Sequence, residues 1–303
     1  MKIILVIPTK DRPKDIQNLF ESLEVQTRKP DHIIVVDGSS ESIAPVLLRF
    51  EKRLSIEVIR CVPPSLPKQR NVGIKALPQD ADWVGFLDDD LVLDNEALEQ
   101  LEKTIIAQKT FKLKGVGLSI QNQPNPKLRL LLKAFLMSTQ PGRVTMAGYP
   151  SAIPCVEQDI RTDWLYGGAT FWSADVFKKF QFDEWFFGTG YMEDVDFSFR
   201  VSREYELMVA AKAKCFHYHH QIPVTKETSI GEWQLTSWWY FVSKHHQFHI
   251  AFVMWGMFGL VVKNLLAFAF YRTKPYWNRH RGHIRGLRRI FMGQALTLKG
   301  FSK

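Results

Sequence analysis

The 303-residue sequence has no acidic residue after Glu232. Residues 233–303 contain 11 Lys and Arg, so the formal net charge of +9 leaves −2 for the first 232 residues. This asymmetry predicts a local basic interaction surface in the C-terminal part, not a uniformly basic protein. No RNP, KH or zinc-knuckle pattern accompanies the basic residues, so we expect no nucleic-acid partner.

Cysteine is scarce, and the commonest nucleotide-binding motifs are missing. The three cysteines are widely spaced, which excludes a disulfide framework and a CxxC zinc site and favours a reducing compartment. There is no GxGxxG and no GxxxxGK[ST], which argues against dinucleotide and P-loop binding. The first apolar run is too short for a signal peptide, so we expect a cytosol-facing protein.

Strand and helix patterns alternate along the first part of the chain. Apolar runs predict strands at 2–8, 32–37, 55–60, 83–87, 115–120 and 207–216. Helical spacing predicts helices at 14–26, 42–52, 66–77 and 95–108. The alternation indicates a parallel sheet with helices on both of its faces.

An acidic cluster follows the most apolar of these strands. The run from Trp83 to Leu87 ends in three carboxylates, Asp88, Asp89 and Asp90. Adjacent carboxylates repel one another unless a cation neutralises them. Ligands of open α/β sheets lie just beyond the carboxyl ends of strands. The pattern predicts a divalent metal beside a phosphorylated ligand; the alternative is a polar turn after a buried strand.

Asp37 is a second carboxylate at a strand end, because it also closes an apolar strand and precedes small residues. Strand-end carboxylates in nucleotide-binding folds accept hydrogen bonds from a ribose or base; the alternative is that Asp37 caps the following turn. Arg70 lies shortly before the acidic cluster in sequence. Its guanidinium would neutralise the carboxylates or hold phosphates, unless it belongs to an ordinary surface helix.

Two further polar segments follow downstream. Gly167 and Gly168 stand between aromatic residues, which indicates close approach of the backbone to a ligand or to another strand. Glu193 and Asp194 fall in the first turn of a predicted helix, where the dipole favours carboxylates. An N-capping role is the alternative for this acidic pair.

The predicted strand at 207–216 leads into a histidine cluster. Strand alternation places His217 and His219 on one face. Imidazoles at a strand end are good ligands for borderline divalent metals, although a lone histidine is usually structural.

Together these segments resemble the family-2 inverting glycosyltransferases, which have the GT-A fold. The matching segments appear in the family's order over about residues 1–220: VIPTKDRP at 6–13, VVDGSS at 35–40, KQRNVGI at 68–74, FLDDD at 86–90, GGATFW at 167–172, FDEWFF at 182–187 and MEDVDFSFR at 192–200. Bacterial polysaccharide and O-antigen-type sugar transferases are the most similar in pattern. Asp11 stands where the family often has Asn.

The resemblance implies a role for each candidate residue. The implied donor-nucleotide contacts are Pro8, Thr9, Asp37, Arg70, Asp88 and Asp89. The implied ligands of a divalent Mn²⁺ or Mg²⁺ are Asp90 and His217, with His219 in reserve. The implied general base is Asp194, and the implied acceptor contacts are Gly167, Gly168 and Glu193.

The implied fold is α/β of the GT-A type, Rossmann-like, with a mostly parallel central sheet flanked by helices. Residues 1–232 would form the catalytic domain, with a nucleotide-sugar half at 1–120 and an acceptor half at 121–232. The implied activity moves a sugar from a nucleotide-diphosphate donor to a hydroxyl of a lipid-linked or growing glycan in cell-surface polysaccharide biosynthesis. A non-catalytic, membrane-bound sugar-nucleotide-binding or scaffold subunit is the alternative.

Residues 233–303 are predicted to associate with the membrane. The segment 248–271 is apolar and long enough to span, but it contains Lys263, which is costly inside a bilayer. A single span would also separate the basic tail from the cytosolic side. We therefore favour peripheral or monotopic attachment to the cytoplasmic face through 248–303, with the basic residues on anionic lipid; a true span is the alternative.

Overall fold

The structure is a computed structural model that describes residues 1–108, 112–124, 129–188 and 190–296. The chain forms two compact units, one of Met1–Asn125 with Ile153–His219 and one of Pro126–Ala152 with His220–Lys303. The first unit therefore ends before the predicted domain boundary after residue 232, and the segment 126–152 falls in the second unit. The nucleotide-sugar and acceptor halves remain predictions.

The first unit contains one mixed sheet of nine strands. The strands are β1 (Ile3–Thr9), β2 (His32–Asp37), β3 (Ile56–Arg60), β4 (Trp83–Leu87), β5 (Leu91–Leu93), β6 (Leu113–Ile120), β7 (Ile160–Thr162), β8 (Ala169–Ser173) and β9 (Glu206–His217). All six predicted strands are present, with ends shifted by at most two residues. The sequence pattern missed β5, β7 and β8. β5 and β7 have three residues each, too few to show a clear periodicity.

The helices of the first unit cover the sheet. They are α1 (Pro13–Glu24), α2 (Ala44–Leu47), α3 (Leu66–Lys75), α4 (Ala97–Gln108) and α6 (Glu193–Ser202); α5 (Arg129–Ala134) belongs to the second unit. The helix predicted at 42–52 is instead the short α2 followed by a 3₁₀ turn, Leu48–Phe50. Proline is the first residue of α1, where a missing N–H costs nothing, and the apolar face of α1 is buried against the sheet.

The strand order is β3-β2-β1-β4-β8-β6-β9-β5, with β7 also paired to β9. β3, β2, β1 and β4 are parallel, β6 and β9 run in the same direction, and β5, β7 and β8 run against them. The predicted Rossmann-like α/β sheet is confirmed, and its antiparallel members make it mixed.

The central strand β1 explains why the predicted residues come together. All seven of its residues are buried, as expected for a strand covered on both faces. β2 lies on one side of β1 and β4 on the other, so the chain changes direction of winding at this strand. The carboxyl ends of these three strands meet at one edge, and such a switch point opens the crevice where ligands of open α/β sheets bind.

Helices dominate the second unit. In addition to α5 it contains a 3₁₀ turn (Val224–Lys226), α7 (Glu227–Lys244), α8 (Ile250–Tyr271) and α9 (Lys274–Phe291). The apolar segment predicted at 248–271 thus forms α8, and the basic tail folds into α9. Residues 297–303 of the predicted membrane region lie outside the described residues.

α7 and α9 approach each other closely through glycine. A Cβ atom at Gly282 would lie 2.1 Å from the carbonyl oxygen of Thr228, and one at Gly231 would lie 2.2 Å from the carbonyl oxygen of Arg279. His283 is fully buried and its Nε2 lies 2.8 Å from Oε1 of Gln234. Backbone therefore packs on backbone here, and a larger residue has no room.

α8 is the one helix among the described residues that is long and apolar enough to cross a membrane. Its mean hydropathy is 1.8, and 39% of its most apolar window is buried within the protein. The exposed remainder includes Trp255, Phe258, Leu266 and Phe270. Length and composition leave both a span and a surface-lying helix open.

We expect Gly282→Val to destabilise the second unit. The added side chain must push α9 away from α7, and such overpacking costs about 1–3 kcal/mol. Urea unfolding followed by tryptophan fluorescence measures the loss. Arg285→Val, on the exposed side of α9, is the matched control and should leave the unfolding midpoint nearly unchanged. Equal midpoints for the two variants would contradict the close packing described here.

Candidate functional site

Several strand ends of the first unit converge at one edge of the sheet. Thr9 pairs with Asp37 across β1 and β2, and Leu87 pairs with Ala169 across β4 and β8. Asp88, Asp89 and Asp90 join β4 to β5, whose partner β9 ends at His217. The acidic cluster and the histidines are thereby brought together, although 127 residues separate Asp90 from His217 in sequence.

The carboxylates of Asp88, Asp89 and Asp90 do not share a single cation. Asp89 and Asp90 are buried, whereas Asp88 is half-buried. Because like charges repel, each carboxylate turns to partners from other elements. The contacts are Asp88 with Arg70, Asp89 with Thr9 and Arg12, and Asp90 with His217 and, at 3.4 Å, with Arg12. The cluster is therefore three distinct positions, each open to a different role.

Among the described residues, Asp90, His217 and His219 form the group best suited to hold a metal. One ligand atom each from Asp90, His217 and His219 lie within 4.8 Å of one another. Oδ1 of Asp90 lies 2.8 Å from Nε2 of His217, and the two imidazole rings are 3.6 Å apart. A carboxylate and two imidazoles form a donor set that suits Mn²⁺ and other borderline divalent ions. The reserve residue His219 thus joins the two predicted ligands, even though β9 ends before it.

The protonation of this group follows from its contacts. Burial would raise the pKa of Asp90, but the hydrogen bond and charge of His217 outweigh it and lower that pKa. Burial would lower the pKa of His217, but its bond to Asp90 and the charges of Asp88 and Asp90 raise it. Burial and the charge of His217 lower the pKa of His219, which favours a neutral imidazole able to coordinate a metal.

Asp89 is held by hydrogen bonds from Thr9, at the end of β1, and from Arg12, the residue before α1. The Thr9 hydroxyl donates to its Oδ2 at 2.7 Å, and Arg12 Nη1 donates to its Oδ1 at 2.8 Å. Burial raises the pKa of Asp89 to about 6 in spite of these favourable contacts. The cost of burying Asp89 is therefore only partly offset, which is characteristic of residues in functional sites.

Asp37 is completely buried at the end of β2. Its carboxylate accepts the N–H groups of Ser39 and Ile43 at 2.9 and 3.0 Å, and Arg60 Nη1 lies 2.5 Å from Oδ2. Burial would raise the pKa of Asp37, but the bonds from Ser39, Ile43 and Arg60 lower it. The turn-capping alternative considered from the sequence is therefore realised here, and it keeps Asp37 ionised at the sheet edge.

Arg70 is the buried cation of the site, only 1% exposed on α3. Its Nη1 contacts Glu193, its Nη2 lies 3.3 Å from Asp88 Oδ1, and its guanidinium packs 5.3 Å from the ring centre of Phe182. Burial and the charge of Asp194 raise the pKa of Glu193 to about 8. Arg70 thus connects Asp88, just after β4, with Glu193 at the start of α6.

Asp194 is held by backbone donors. Its Oδ2 accepts Gly167 N–H at 3.1 Å, and its Oδ1 accepts the N–H of Val195 at 2.8 Å. In the described part of the chain it makes no ion pair of its own. Burial raises the pKa of Asp194, opposed first by the charge of Arg70 and then by the two N–H groups. A half-buried carboxylate with a raised pKa is a stronger base than an ordinary aspartate, which suits it to accept a proton.

The two glycines at 167 and 168 permit close approach at the sheet edge. A Cβ at Gly168 would lie 2.0 Å from Cγ of Asp88, and one at Gly167 would lie 2.7 Å from Nη1 of Arg70. Asp88 N–H also donates to the Gly168 carbonyl at 2.9 Å. The predicted close approach of backbone is present, and the groups approached are other residues of the site.

The structure brings nearly all predicted site residues to this edge of the first unit. Pro8 lies within β1, paired with Val36, one residue before the edge. Glu193, predicted to contact the acceptor, is 4% exposed and is paired with Arg70, which was predicted to contact the donor. The roles given to each residue remain predictions.

Sequence reasoning missed three residues of the site. Arg12 and Arg60 neutralise Asp89 and Asp37, and the amide of Gln69 donates to carbonyls at the ends of β1 and β2 at 3.0 and 2.8 Å. A signal was available for the two arginines. Each lies at the carboxyl end of a strand predicted to be parallel to those carrying the carboxylates, so it had to emerge at the same edge.

Residues 4–128 match the sequence family described as Glycosyl transferase family 2. The matched segment, which is less than half of the chain, is similar to members of that family. This confirms the resemblance found in the sequence. The match covers β1 to β6 and includes Asp37, Arg70 and the acidic cluster.

Two relatives in sequence are named as sugar transferases. The galactofuranosyltransferase GlfT1 of Mycobacterium tuberculosis is 33% identical over 100 residues, 29% of this chain and 30% of that protein. The O-antigen chain rhamnosyltransferase RfbN of Salmonella typhimurium is 33% identical over 102 residues, 33% of this chain and 32% of that protein. The matched region spans about a third of each relative's length.

The fold extends the similarity beyond the matched region. The mannosyltransferase PcManGT of Pyrobaculum calidifontis, solved with GDP-Man and Mn²⁺, superposes with a TM-score of 0.59. The match covers 97% of this chain and 88% of that one at 12% identity. At this identity the likeness establishes the fold, and the predicted GT-A architecture is confirmed.

We expect Arg70→Met to destabilise the protein by about 3 kcal/mol, because the buried carboxylate of Glu193 then has no cation. In the double variant Arg70→Met/Glu193→Gln, more than half of the loss should be recovered. Urea denaturation of the full chain provides both values. Arg161→Met, which breaks an exposed pair with Glu206, is the control and should unfold at the wild-type midpoint. Additive losses in the double variant would contradict the direct pairing.

Proposed function

We propose that this protein is a metal-dependent inverting glycosyltransferase. It moves a sugar, a hexose or deoxyhexose, from a nucleotide-diphosphate donor to a hydroxyl of a lipid-linked or growing glycan during cell-surface polysaccharide biosynthesis. One observation carries the proposal. Arg70 contacts both Asp88 of the acidic cluster and Glu193, the neighbour of Asp194. A carboxylate proposed to bind the donor and the proposed base thus both lie close to one buried arginine.

The donor is assigned to the carboxyl ends of β1, β2 and β4. Pro8, Thr9 and Asp37 lie on the side where the base and ribose would bind, and Asp88, Asp89 and Arg70 on the side of the ribose and sugar. The same division supports residues 1–120 as the nucleotide-sugar half and 121–232 as the acceptor half. Gly167, Gly168 and Glu193 are assigned to the acceptor side because they adjoin Asp194.

The divalent cation, Mn²⁺ or Mg²⁺, would be held by Asp90 and His217, with His219 as a third ligand. The donor set fits, since one carboxylate and two imidazoles lie within 4.8 Å, and the lowered pKa of Asp90 keeps it anionic. When bound, such an ion neutralises the charge that develops on the departing diphosphate. A structural relative, the Pyrobaculum calidifontis mannosyltransferase, was solved with GDP-Man and Mn²⁺, which supports this assignment.

Asp194 is assigned as the general base. Its carboxylate takes the proton of the acceptor hydroxyl as that oxygen bonds to the anomeric carbon of the sugar. The bond from that carbon to the diphosphate oxygen breaks, and the nucleoside diphosphate leaves. Attack on the face opposite the leaving group inverts the anomeric configuration. The N–H groups of Gly167 and Val195 hold the carboxylate in place while burial keeps its basicity high.

Asp194→Asn should lower kcat/KM by about 10²–10⁴-fold without loss of fold, because an amide cannot accept the proton. The assay uses purified full-length protein, Mn²⁺ and a panel of UDP-, dTDP- and GDP-sugars, scored by release of nucleoside diphosphate. In the wild type the rate should rise with pH through a midpoint above that of an ordinary aspartate, since only the deprotonated form of Asp194 acts. Asp80→Asn, an exposed carboxylate distant from the site, is the control.

No turnover with any donor, together with full complementation in cells by Asp194→Asn, would overturn the enzyme assignment. That result would favour the non-catalytic subunit considered from the sequence. Turnover equal to the wild type in Asp194→Asn would retain the enzyme but remove this residue as its base.

The second unit is proposed to attach the enzyme to the cytoplasmic face of the membrane. On α9, the exposed side chains Trp277, Ile284 and Phe291 recur every seven residues and so lie on one face of the helix. The exposed arginines of that helix, Arg281, Arg285 and Arg288, occupy positions beside them. This combination of apolar and cationic groups suits the interface of an anionic bilayer.

Only part of the basic tail is available for lipid. Arg279 makes a two-pronged ion pair with Glu227 at 2.7 and 2.6 Å, and Arg289 pairs with Glu232. These two arginines join α7 to α9 inside the unit. Among the described residues, Arg281, Arg285 and Arg288 make no ion pair, so they are the ones expected at the headgroups.

Neutralising Arg281, Arg285 and Arg288 together with Gln should weaken binding to phosphatidylserine-containing vesicles by about 100-fold at low salt, at about 1 kcal/mol per arginine. Flotation of the full chain measures this. Lys52→Gln/Lys75→Gln/Lys112→Gln removes the same charge from exposed sites of the first unit and should bind like the wild type. If only detergent releases the triple-arginine variant, α8 spans the bilayer and the surface mode is wrong.

A further inference from the structure

Arg12 contacts Asp90, which is one of the proposed metal ligands, and the neighbouring Asp89. It directly precedes Pro13, the first residue of α1, and its Nη1 lies 2.8 Å from Asp89 Oδ1 and 3.4 Å from Asp90 Oδ2. The other oxygen of Asp90, Oδ1, faces His217 at 2.8 Å. The two oxygens of Asp90 are thus divided between a guanidinium on one side and the imidazole of the proposed metal site on the other.

Arg12 supplies positive charge that these two carboxylates need. Among the side chains that the structure describes, Asp89 has otherwise only the neutral hydroxyl of Thr9 as a donor, and both carboxylates are almost fully buried. Arg12 itself is 40% exposed at its side chain, so it can leave the carboxylates without uncovering the core. Arg12 keeps its charge whether or not it contacts Asp89, because an arginine guanidinium is not deprotonated in proteins.

We propose that Arg12 is a resident counter-cation that is exchanged from Asp89 and Asp90 to the diphosphate of the donor when metal and donor bind. This inference rests on the proposed function, since it takes Asp90, His217 and His219 as the metal ligands. Arg12 then has two alternative anionic partners at one sheet edge. It is a positioning residue that couples the binding of the cation to the binding of the nucleotide.

The coupling follows from charge. A divalent ion on Asp90 would stand a few ångströms from the guanidinium, and like charges at that distance repel strongly where water is partly excluded. With no anion to receive it, Arg12 therefore opposes the metal. A diphosphate offers oxygen pairs that match the guanidinium fork, so the repulsion is relieved once the donor is present. By linkage, the same free energy makes the metal favour nucleotide and the nucleotide favour metal.

The inference is tested by Mn²⁺ binding to the full-length protein, measured by electron paramagnetic resonance of free Mn²⁺. The ion is titrated alone and then with saturating UDP or GDP. Arg12→Gln should bind Mn²⁺ alone about tenfold more tightly than the wild type, because one nearby positive charge is gone. The gain in Mn²⁺ affinity caused by the nucleotide should shrink by about the same factor.

Two variants separate charge from geometry. Lys10→Gln removes an equal charge from an exposed residue two positions away that contacts neither carboxylate, and it should behave as the wild type. Arg12→Lys keeps the charge, so Mn²⁺ alone should bind as in the wild type; the effect of nucleotide should be reduced, because an ammonium lacks the fork. Thermal unfolding of each variant with added Mn²⁺ gives a second readout, since ligand binding raises the midpoint.

The outcomes distinguish this inference from the proposed function. If no variant binds Mn²⁺ with or without nucleotide, the proposed metal site is wrong and the role of Arg12 falls with it. If the wild type binds Mn²⁺ and Arg12→Gln binds it equally or more weakly, the metal site stands and the counter-cation role is overturned. If Arg12→Gln binds Mn²⁺ more tightly but the nucleotide effect is unchanged, the exchange to the diphosphate is overturned.

Discussion

Repulsion among buried carboxylates is the constraint on which the candidate site depends. Six acidic side chains gather at one edge of the first unit: Asp37, Asp88, Asp89, Asp90, Glu193 and Asp194. Carboxylates cannot remain ionised together in a partly dry crevice unless cations or N–H donors offset their charge. Basic side chains from several elements lie beside five of the six: Arg60 beside Asp37, Arg70 between Asp88 and Glu193, Arg12 between Asp89 and Asp90, and His217 beside Asp90.

Asp194 is the exception among these carboxylates. Asp37, Asp89 and Asp90 have Arg60, Arg12 and His217 as direct partners. Asp194 has two backbone N–H groups instead, and it keeps a raised pKa. A carboxylate fixed in place by N–H groups, with no ion pair of its own among the described residues, is suited to receive a proton. The distribution of ion pairs therefore separates the groups proposed to hold a charged ligand from the one proposed to take part in proton transfer.

The second unit depends on a different kind of packing. α7 and α9 contact each other through the backbone at Gly231 and Gly282. Two arginines of α9, Arg279 and Arg289, form ion pairs with Glu227 and Glu232 of α7. Because the polar and glycine-rich side of α9 is turned to α7, its aromatic and remaining basic side chains are left outside. An amphipathic outer face thus results from how the inner face is packed. Net charge alone would not have revealed which arginines are available.

The sequence by itself determined the strands of the sheet, the acidic strand ends and the family, because apolar periodicity and motif order are local properties of the chain. The carboxylates at Asp37 and at Asp88 to Asp90 were predictable, since parallel strands end at the same edge. Only the tertiary structure decided how charges pair across the chain. Arg70 meets Glu193 over 123 residues of sequence, and Asp90 meets His217 over 127. It also separated the three adjacent aspartates into three environments, and it paired Arg279 with Glu227 while leaving Arg281 exposed. Pairing depends on which elements become neighbours, and no local pattern of residues encodes that.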